Sequence, residues 1–385
     1  MSKSNKIYLD SAASVEANPS SIHSVGVGAK TKLENSRREV ARVLGARPEE
    51  IIFTSGDTES NNLALQGVVW AWHESKKEDK KEKKLPHIIT TNIEHPSVLE
   101  TCRMLQDRNL AQVSIIGVEE NGIIDFKKIK KAIRENTILV SVMYANNEIG
   151  TIQPIREIAK EIRHYKKTKQ TTFPFFHTDA VQVAGYLDLD VARLGVDLLS
   201  LSGAKIKESG WAGVLFKRKS IPLAKVYAGG DQEMGLRPGT ENLAEIIKFS
   251  RALRRAQKII RKEIEILTRQ RDYFIKKLLK MSPDIIINGD LENRLPNNVN
   301  ITVPKIPSDL LVIELSAKGI MVSSRSACKS STAKGSYVIS ALRKDANPEI
   351  GGVRFSLNKN TTKDDIDYTI NILSQILKKL KKWYN

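Results

Sequence analysis

The two cysteines of this chain lie in very different surroundings, and only one is suited to act as a nucleophile. Cys328 lies in the stretch SSRSACKSS, which has too little apolar content for a core strand. Arg325 and Lys329 favour the thiolate, which is the reactive form of cysteine. Cys102 lies on an apolar-patterned helix and is predicted to be a small core residue. The sequence therefore predicts an exposed, nucleophilic thiol at Cys328 on a loop.

Two further segments predict a site for charged groups. Thr58 lies in SGDTES, which follows an apolar strand and opens a helix, where backbone N–H groups can bind phosphate. A plain helix cap by Thr58 is the alternative. Asp179 follows another apolar strand in HTDA. Because a buried, unpaired carboxylate is costly, we expect a cationic partner there.

Alternating apolar and amphipathic segments must position these residues. Strands separated by helices of this size indicate an α/β fold with a mainly parallel sheet covered on both faces. Ligands of such sheets bind beyond the carboxyl ends of the strands. The predicted strands are Ile51–Thr54, His87–Thr91, Val113–Val118, Ile138–Tyr144, Phe175–Thr178, Leu198–Ser202 and Val214–Lys217, and the predicted helices are Glu59–His73, Val98–Asn109, Phe126–Asn136 and Ile155–Lys166.

The pattern changes in the last third of the chain. A long polar helix is predicted over Glu241–Met281, and Thr362 with Asp365 form a capping box for a final helix. A smaller sheet is predicted from Val299–Val303, Ile320–Ser323 and Val353–Leu357. Because 385 residues exceed what one hydrophobic core usually organises, we expect a large and a small domain.

The bulk composition excludes several classes of protein. A hydrophobic content of 41% and a charged content of 28% are ordinary for a globular protein. No run approaches the ~20 apolar residues that span a bilayer, so we expect a cytoplasmic protein without membrane contact. Two cysteines without a CxxC or Cys/His cluster support neither a disulfide framework nor a metal site.

The formal charge of +18 raises the question of nucleic-acid binding. Much of the excess lies in Lys76–Lys84, Ile155–Lys169 and the C-terminal KKLKKWYN, which is typical of solvated surface. No nucleic-acid module signature is present, so we expect no direct nucleic-acid contact. Contact with an acidic partner protein, or with tRNA through such a partner, stays open.

Ten motifs in sequence resemble those of one enzyme family over nearly the whole chain. In chain order they are YLDSAAS, NPSSIHSVGVGAK, FTSGDTESNNLAL, TTNIEHPSVLE, SVMYANNEIGTIQPI, HTDAVQVAG, LSLSGAKI, GGDQEMGLRPGTEN, SSRSACKSS and GGVRFSLNKNTT. This set resembles the cysteine desulfurases, which are class-V aminotransferase-like enzymes that depend on pyridoxal 5′-phosphate (PLP). The resemblance implies a fold-type I PLP-transferase that forms a homodimer.

The resemblance also makes the predicted architecture more specific. It implies a large PLP-binding domain over 15–250, with a mainly parallel seven-stranded sheet. A smaller α+β domain, formed by 1–14 and 251–385, would carry the loop with the catalytic cysteine.

The same resemblance assigns cofactor-binding residues, since PLP requires a phosphate cradle, an anion at the ring nitrogen and a lysine for the aldehyde. Thr58 and Ser202 would bind the phosphate, and Thr240, with Arg237 nearby, would reach the phosphate of the neighbouring subunit. Asp179 would pair with the ring nitrogen, and Gln182 would hydrogen-bond the ring hydroxyl.

Catalytic and substrate-binding residues follow from the resemblance as well. Lys205 would bond the aldehyde and then act as a base, with partial burial among cofactor groups favouring its neutral amine. His95 would stack on the ring and move protons, although it could be a surface histidine before a proline. Asn147 and Arg354 would hold the substrate carboxylate, with a structural ion pair as the alternative for Arg354.

The implied reaction removes sulfur from L-cysteine, leaving L-alanine and a persulfide on Cys328. A sulfur-acceptor protein, either an iron–sulfur scaffold or a tRNA-thiolation enzyme, would take the sulfur. The alternatives are a selenocysteine lyase, which shares the scaffold, and a catalytically weakened PLP-fold scaffold for a sulfur-transfer partner. A nucleotide-binding interpretation of GVGAKTK fails, because Ala29 stands where the P-loop needs glycine.

Four departures from the family pattern concern cofactor binding. Ala204 stands where histidine usually precedes the lysine, and KESGWAG replaces a Gly-Pro-Lys-Gly turn. Ser11 stands where asparagine is common, and Asp57 adds a negative charge beside the proposed phosphate cradle. Losing the histidine removes one phosphate donor, worth roughly 1–3 kcal/mol. We therefore predict weakened PLP retention before loss of activity.

Overall fold

The computed structural model describes residues 7–14, 17–76, 84–324, 335–343 and 350–384. Three residues that the sequence singled out, Arg325, Cys328 and Lys329, lie outside these ranges. So does most of the lysine-rich run between Lys76 and Lys84.

A seven-stranded sheet forms the centre of the larger part of the molecule, in the order β1-β7-β6-β5-β4-β2-β3. Strands β2 to β6 are parallel, whereas β7 is antiparallel to both neighbours. The mostly parallel seven-stranded sheet is confirmed. The strands are β1 Ile51–Thr54, β2 His87–Thr91, β3 Gln112–Ile116, β4 Thr137–Ser141, β5 Phe175–Asp179, β6 Leu198–Ser202 and β7 Gly213–Lys217.

Helices cover both faces of this sheet, because neighbouring strand residues point to opposite sides. Phe53 packs into the core beneath α1 and α5, whereas Ile52 packs into the core beneath α2 and α3. The motif GVGAKTK lies inside α1, so it forms no phosphate loop. The helices are α1 Ser24–Leu44, α2 Asp57–Ser75, α3 Pro96–Asp107, α4 Phe126–Ala132, α5 Ile155–Lys169 and α6 Val191–Leu194.

The predicted long helix is present as α7, Leu243–Met281, and it contributes to two cores. Phe249 packs into the core of the large sheet, whereas Phe274 and Leu278 pack into a second core. A helix of 39 residues is about 60 Å long, so it can contribute side chains to both cores. The domain division at residue 250 stays a prediction.

The second core is built on a three-stranded antiparallel sheet in the order β10-β9-β8. The predicted strand Ile320–Ser323 is wrong: only Ser323 pairs, in an isolated bridge with Arg354. Ile320 and Val322 instead pack their side chains against the second core. The remaining elements are β8 Ile286–Ile287, β9 Asn298–Thr302, β10 Val353–Ser356, α8 Ser308–Ser316, α9 Tyr337–Leu342 and α10 Lys363–Leu380.

The capping box predicted for the final helix is confirmed. Thr362 accepts from the Asp365 N–H, and the Asp365 carboxylate accepts from the Thr362 N–H. Leu373 and Leu377 on the apolar face of α10 are buried in the second core. Thus α10 is amphipathic and covers the small sheet.

Candidate active site

A chain of hydrogen bonds joins Asp179 to His95 through two residues that sequence reasoning missed. Asn61 Nδ2 lies 2.8 Å from Asp179 Oδ2 and 2.9 Å from Ser97 Oγ. Ser97 Oγ lies 2.8 Å from His95 Nδ1. The predicted residues Asp179 and His95 are therefore brought into one network, with Asn61 and Ser97 between them.

This network fixes which nitrogen of His95 carries the proton in the neutral ring. His95 is the N-cap of α3, and its Nδ1 accepts from the Ser97 N–H at 3.2 Å. Since Asn61 donates to Ser97 Oγ, the Ser97 hydroxyl proton is available to donate to Nδ1 as well. Nε2 is then the protonated nitrogen and the one left to act on a ligand. His95 is half-buried.

Asp179 offers a buried carboxylate to a cation. It is only 5% exposed and ends β5. Its hydrogen bonds come from two neutral donors, Asn61 and the Val181 N–H. Burial raises the pKa of Asp179, and the nearby charge of His95 opposes this rise. The protonated ring nitrogen of PLP supplies the kind of cation that this buried carboxylate needs.

A second buried acid, Glu94, lies beside this network. Its Oε1 accepts from Thr91 and from the Met143 N–H, whereas Oε2 has no hydrogen-bond partner among the described residues. Burial raises the pKa of Glu94 to about 8, and the charge of Asp179 contributes to the rise. Glu94 is thus an uncharged acid at neutral pH. Its position beside His95 in NIEH was the signal available in the sequence.

The start of α2 forms a cradle without a side-chain cap. Gly56 is the N-cap residue and makes no side-chain capping bond, and Thr58 is exposed in the first turn. The alternative that Thr58 caps the helix is therefore wrong. Gly213, which pairs with Ser202, approaches so closely that an added Cβ would lie 2.5 Å from the Gly56 carbonyl carbon. The helix N-terminus fits an anion such as phosphate.

Charged residues surround this helix N-terminus. Glu59 forms an ion pair of 3.0 Å with Arg237 and accepts from the Ser55 N–H. Although burial raises the pKa of Glu59, the hydrogen bonds from Ser55 and Arg237 lower it overall. A cavity of about 180 Å³ lies here, lined in part by Ser55, Arg237 and Thr240. Thr240 is exposed, and it is therefore accessible to a ligand.

Lys205 forms no hydrogen bond or ion pair with this network in the described part of the chain. It ends a short 3-10 helix, Gly203–Lys205, after β6, and lines a cavity of about 150 Å³ with Tyr186 and residues of α7. Lys205 is exposed, and its expected partial burial among cofactor groups stays a prediction. The following segment is held against α7: Glu208 forms an ion pair of 2.6 Å with Arg255, and the Trp211 N–H donates to Glu245. This segment is where the chain departs from the family pattern.

Gln182 and Ser202 are close in the chain to Asp179 and Lys205, but within the described ranges their side chains form no hydrogen bond with these two residues. Gln182 lies half-buried in the turn after Asp179. Ser202 is buried at the end of β6, which is hydrogen-bonded to β5. Both positions lie at the carboxyl ends of neighbouring parallel strands, where ligands of such sheets bind.

Arg354, in strand β10, contacts Asn147 in the segment after β4. Arg354 Nη1 donates to the Asn147 carbonyl oxygen at 2.8 Å. Arg354 Nε and Asn147 Oδ1 are both buried and have no hydrogen-bond partner among the described residues. Burial lowers the pKa of Arg354, and the charge of Glu148 opposes this. Since no described carboxylate forms an ion pair with Arg354, the pair is suited to a ligand carboxylate.

Asn146 holds this region in place and was also missed. Its Nδ2 donates to the Ile93 carbonyl, and its Oδ1 accepts from the Glu148 and Ile149 N–H groups. The loop that contains Asn147 is thereby fixed to the loop that precedes His95. The repeated asparagine in ANNEIG was the only sequence signal.

Cys102 is a core residue, as predicted. It is fully buried in α3, and burial raises the pKa of its thiol to about 12. It is therefore inert at neutral pH.

Among the described residues, no group of three or more His, Cys, Asp or Glu side chains could hold a metal ion. Within the same ranges, no helix is long and apolar enough to cross a bilayer.

Comparison with known proteins gives matches over most of the chain. Residues 1–369 match the family model described as Aminotransferase class-V. A cysteine desulfurase IscS from Dictyoglomus turgidum (strain DSM 6724 / Z-1310) is 42% identical over 364 residues, covering 94% of this chain and 88% of the relative. The cysteine desulfurase of Homo sapiens is 35% identical over 362 residues, covering 94% and 75%.

Solved structures agree with these relatives. A NifS-like protein has a TM-score of 0.83 and 34% identity, covering 94% of this chain and 92% of its own. The structure of SspA in complex with cysteine has a TM-score of 0.73 and 30% identity, covering 90% and 92%. The chain therefore belongs to the aminotransferase class-V family and, within it, to the PLP-dependent cysteine desulfurases.

Proposed function

We propose that this chain removes sulfur from L-cysteine, producing L-alanine and a persulfide on Cys328. The observation that carries the proposal is the network Asp179–Asn61–Ser97–His95. It supplies a buried carboxylate, Asp179, and an imidazole, His95, whose Nε2 is available to a ligand. Bound PLP would supply an electron-accepting ring that activates the Cα–H and Cβ–S bonds of an amino acid.

The proposed roles of this chain's residues follow from their surroundings. Asp179 would hold the proton of the ring nitrogen, and Thr58 with the N–H groups that open α2 would hold the phosphate. Gln182 and Ser202 would complete cofactor binding. Thr240 would contribute to the phosphate site of a partner subunit, so we propose a homodimer.

Arg354 and Asn147 would orient the substrate carboxylate, and Lys205 would bond the cofactor and remove the substrate Cα proton. His95 would move a proton at Nε2. The Cys328 thiolate would attack the substrate sulfur: the new S–S bond forms as the Cβ–S bond breaks and its electrons pass to the substrate carbon. Protons from the thiol and from the protein then complete L-alanine, so no external oxidant or reductant is required.

The sulfur acceptor is part of the proposal. The relatives named IscS support delivery to an acceptor protein for iron–sulfur cluster assembly. A tRNA-thiolation enzyme is the second acceptor class that the sequence analysis left open. We propose that the reaction takes place in the cytoplasm.

Alanine formation tests the function. PLP-loaded protein would be incubated with L-cysteine and a thiol reductant, comparing wild type, Cys328→Ala and the control Cys102→Ala. Alanine that depends on Cys328 and not on Cys102 supports the proposal. Competition with L-selenocysteine separates a selenocysteine lyase from a desulfurase. Folded, PLP-bound wild type that forms no alanine would favour the weakened scaffold instead.

A further inference from the structure

Ser323 and Ser336, which flank 325–334 in the chain, are both bonded to residues at the site that would hold the substrate carboxylate. Before it, Ser323 pairs with Arg354: the Arg354 N–H donates to the Ser323 carbonyl at 2.7 Å, and the return bond is 3.2 Å. After it, Ser336 donates to the Glu148 carboxylate at 2.5 Å. Glu148 directly follows Asn147 in the chain. The carboxylate-binding pair therefore lies between the two attachments.

The second attachment is rigid because Glu148 is held from several sides. Glu148 is 2% exposed and Ser336 is 3% exposed. The Glu148 carbonyl accepts from Asn298 and Asn300 of β9, each at 3.0 Å. The Glu148 N–H donates to Asn146. The Glu148 carboxylate also opposes the effect of burial on the charge of Arg354. The buried Glu148 thus accepts a hydrogen bond from Ser336 and also acts electrostatically on Arg354.

Tyr337 makes a parallel attachment to the other catalytic loop. Its hydroxyl donates to the Glu94 carbonyl at 2.5 Å, directly before His95. Burial raises the pKa of Tyr337, and the charge of Glu148 adds to the rise. The phenol therefore stays protonated and remains a donor over the whole physiological pH range.

We propose that Ser336, acting on Glu148, and Tyr337, acting on the Glu94 carbonyl, are positioning residues that determine how Cys328 is presented to the bound amino acid. This inference rests on the proposed function for the role of Cys328. It goes beyond that function by assigning the sulfur-transfer step to contacts made outside the cofactor site. Substrate binding by Arg354 and Asn147 should depend far less on Tyr337, whose hydroxyl bonds to the Glu94 carbonyl and not to Glu148.

Alkylation of Cys328 tests the positioning without relying on activity. Because Cys102 is fully buried and burial raises the pKa of its thiol to about 12, iodoacetamide at neutral pH reports on Cys328. We expect the alkylation rate of PLP-loaded protein to change at least threefold in Ser336→Ala and in Tyr337→Phe. Ser336→Thr, which keeps the hydroxyl, should restore the wild-type rate.

Single-turnover measurements separate transfer from binding. In both variants, persulfide formation on Cys328, followed by mass spectrometry, should slow at least tenfold. In Tyr337→Phe, the L-cysteine concentration that gives half of the cofactor absorbance change should shift less than threefold. Equal losses in binding and in persulfide formation would indicate a merely structural role and would overturn the proposal.

Matched controls remove the same groups elsewhere. Ser340→Ala deletes a hydroxyl on the same helix, where it donates to the Ser336 carbonyl. Tyr165→Phe deletes a phenol that donates to the Arg134 carbonyl, away from the site. Both should behave as wild type. Ser336 also caps α9 through the Ile339 N–H, so Tyr337→Phe decides the outcome if Ser336→Ala does not fold.

The outcomes also distinguish this inference from the proposed function. Wild type that forms no persulfide on Cys328 would overturn the proposed function. A change in alkylation of less than threefold in Tyr337→Phe, with wild-type persulfide formation, would overturn the positioning role alone.

Discussion

Asn61 in α2 donates a 2.8 Å hydrogen bond to Asp179 at the end of β5, although 118 residues separate them in the chain. The same amide group donates to Ser97 and so connects Asp179 with His95. Asn61 is fully buried, and its Oδ1 has no partner among the described residues. The Asn61 side-chain amide therefore donates to both Asp179 and Ser97 at the proposed binding site of the PLP ring.

Replacing Asn61 should weaken PLP binding. Asn61→Ala removes a donor to a carboxylate, and such bonds contribute about 1.5–3 kcal/mol. We expect the dissociation constant for PLP to rise about tenfold or more, measured by absorbance titration. Gln66→Ala, on the same helix, should leave PLP binding unchanged. An unaltered affinity in folded Asn61→Ala would show that the network does not support the ring site.

Lys205 should be the residue that bonds PLP, despite its position in the cavity beside α7. Borohydride reduction of PLP-loaded protein should fix the label to Lys205, as identified by peptide mapping. Lys207, also exposed and lining the same cavity, provides the internal control and should stay unlabelled. Label on Lys207 instead would reassign the lysine. Lys205→Ala should still bind PLP through Asp179 and the helix N-terminus, but more weakly.

Restoring a donor at residue 204 should strengthen cofactor retention. Ala204 is exposed at the turn that carries Lys205, so a larger side chain can be accommodated. If Ala204→His regains one bond to the phosphate, worth roughly 1–2 kcal/mol, PLP should dissociate about fivefold to thirtyfold more slowly. Ala204→Leu controls for size. Equal dissociation rates in all three proteins would contradict the role given to this position.

Two buried histidines should make the stability of the protein depend on pH. His87 bridges Thr137 and Ser114, and His177 bridges Ser141 and Ser200, each across neighbouring strands. Burial lowers the pKa of His87 to about 4, with a contribution from Arg134, and that of His177 to about 3.

The sign follows from proton uptake by the unfolded chain. Below a pH of about 6.5 the unfolded histidines bind protons that the folded ones do not, so unfolding becomes more favourable. The free energy of unfolding should fall as the pH drops from about 6.5 towards 4, by roughly 1.4 kcal/mol per pH unit for each histidine. Urea titrations of His177→Asn should show a shallower dependence, whereas exposed His164→Asn should match wild type. Identical slopes for wild type and His177→Asn would contradict this.

Local sequence determined the elements that carry the site. Strands β1, β2 and β6 begin and end at the residues predicted from short apolar runs bounded by polar turns. A short apolar run of this kind is typically buried as a strand. The burial of Cys102 and the capping of α10 are equally local. The placement of Asp179 at a strand end follows from the same pattern.

The tertiary structure decided what those elements bring together. Asn61, Ser97 and Glu94 are ordinary residues in their own segments, and only the packing of α2 and α3 against the sheet places them beside Asp179. Strand Ile320–Ser323 was mispredicted because its apolar side chains could be buried without joining the sheet. The segment after Lys205 is held by contacts with α7, in particular Glu208 with Arg255. Contacts between residues far apart in the chain depend on how elements dock, which hydrophobic periodicity does not encode.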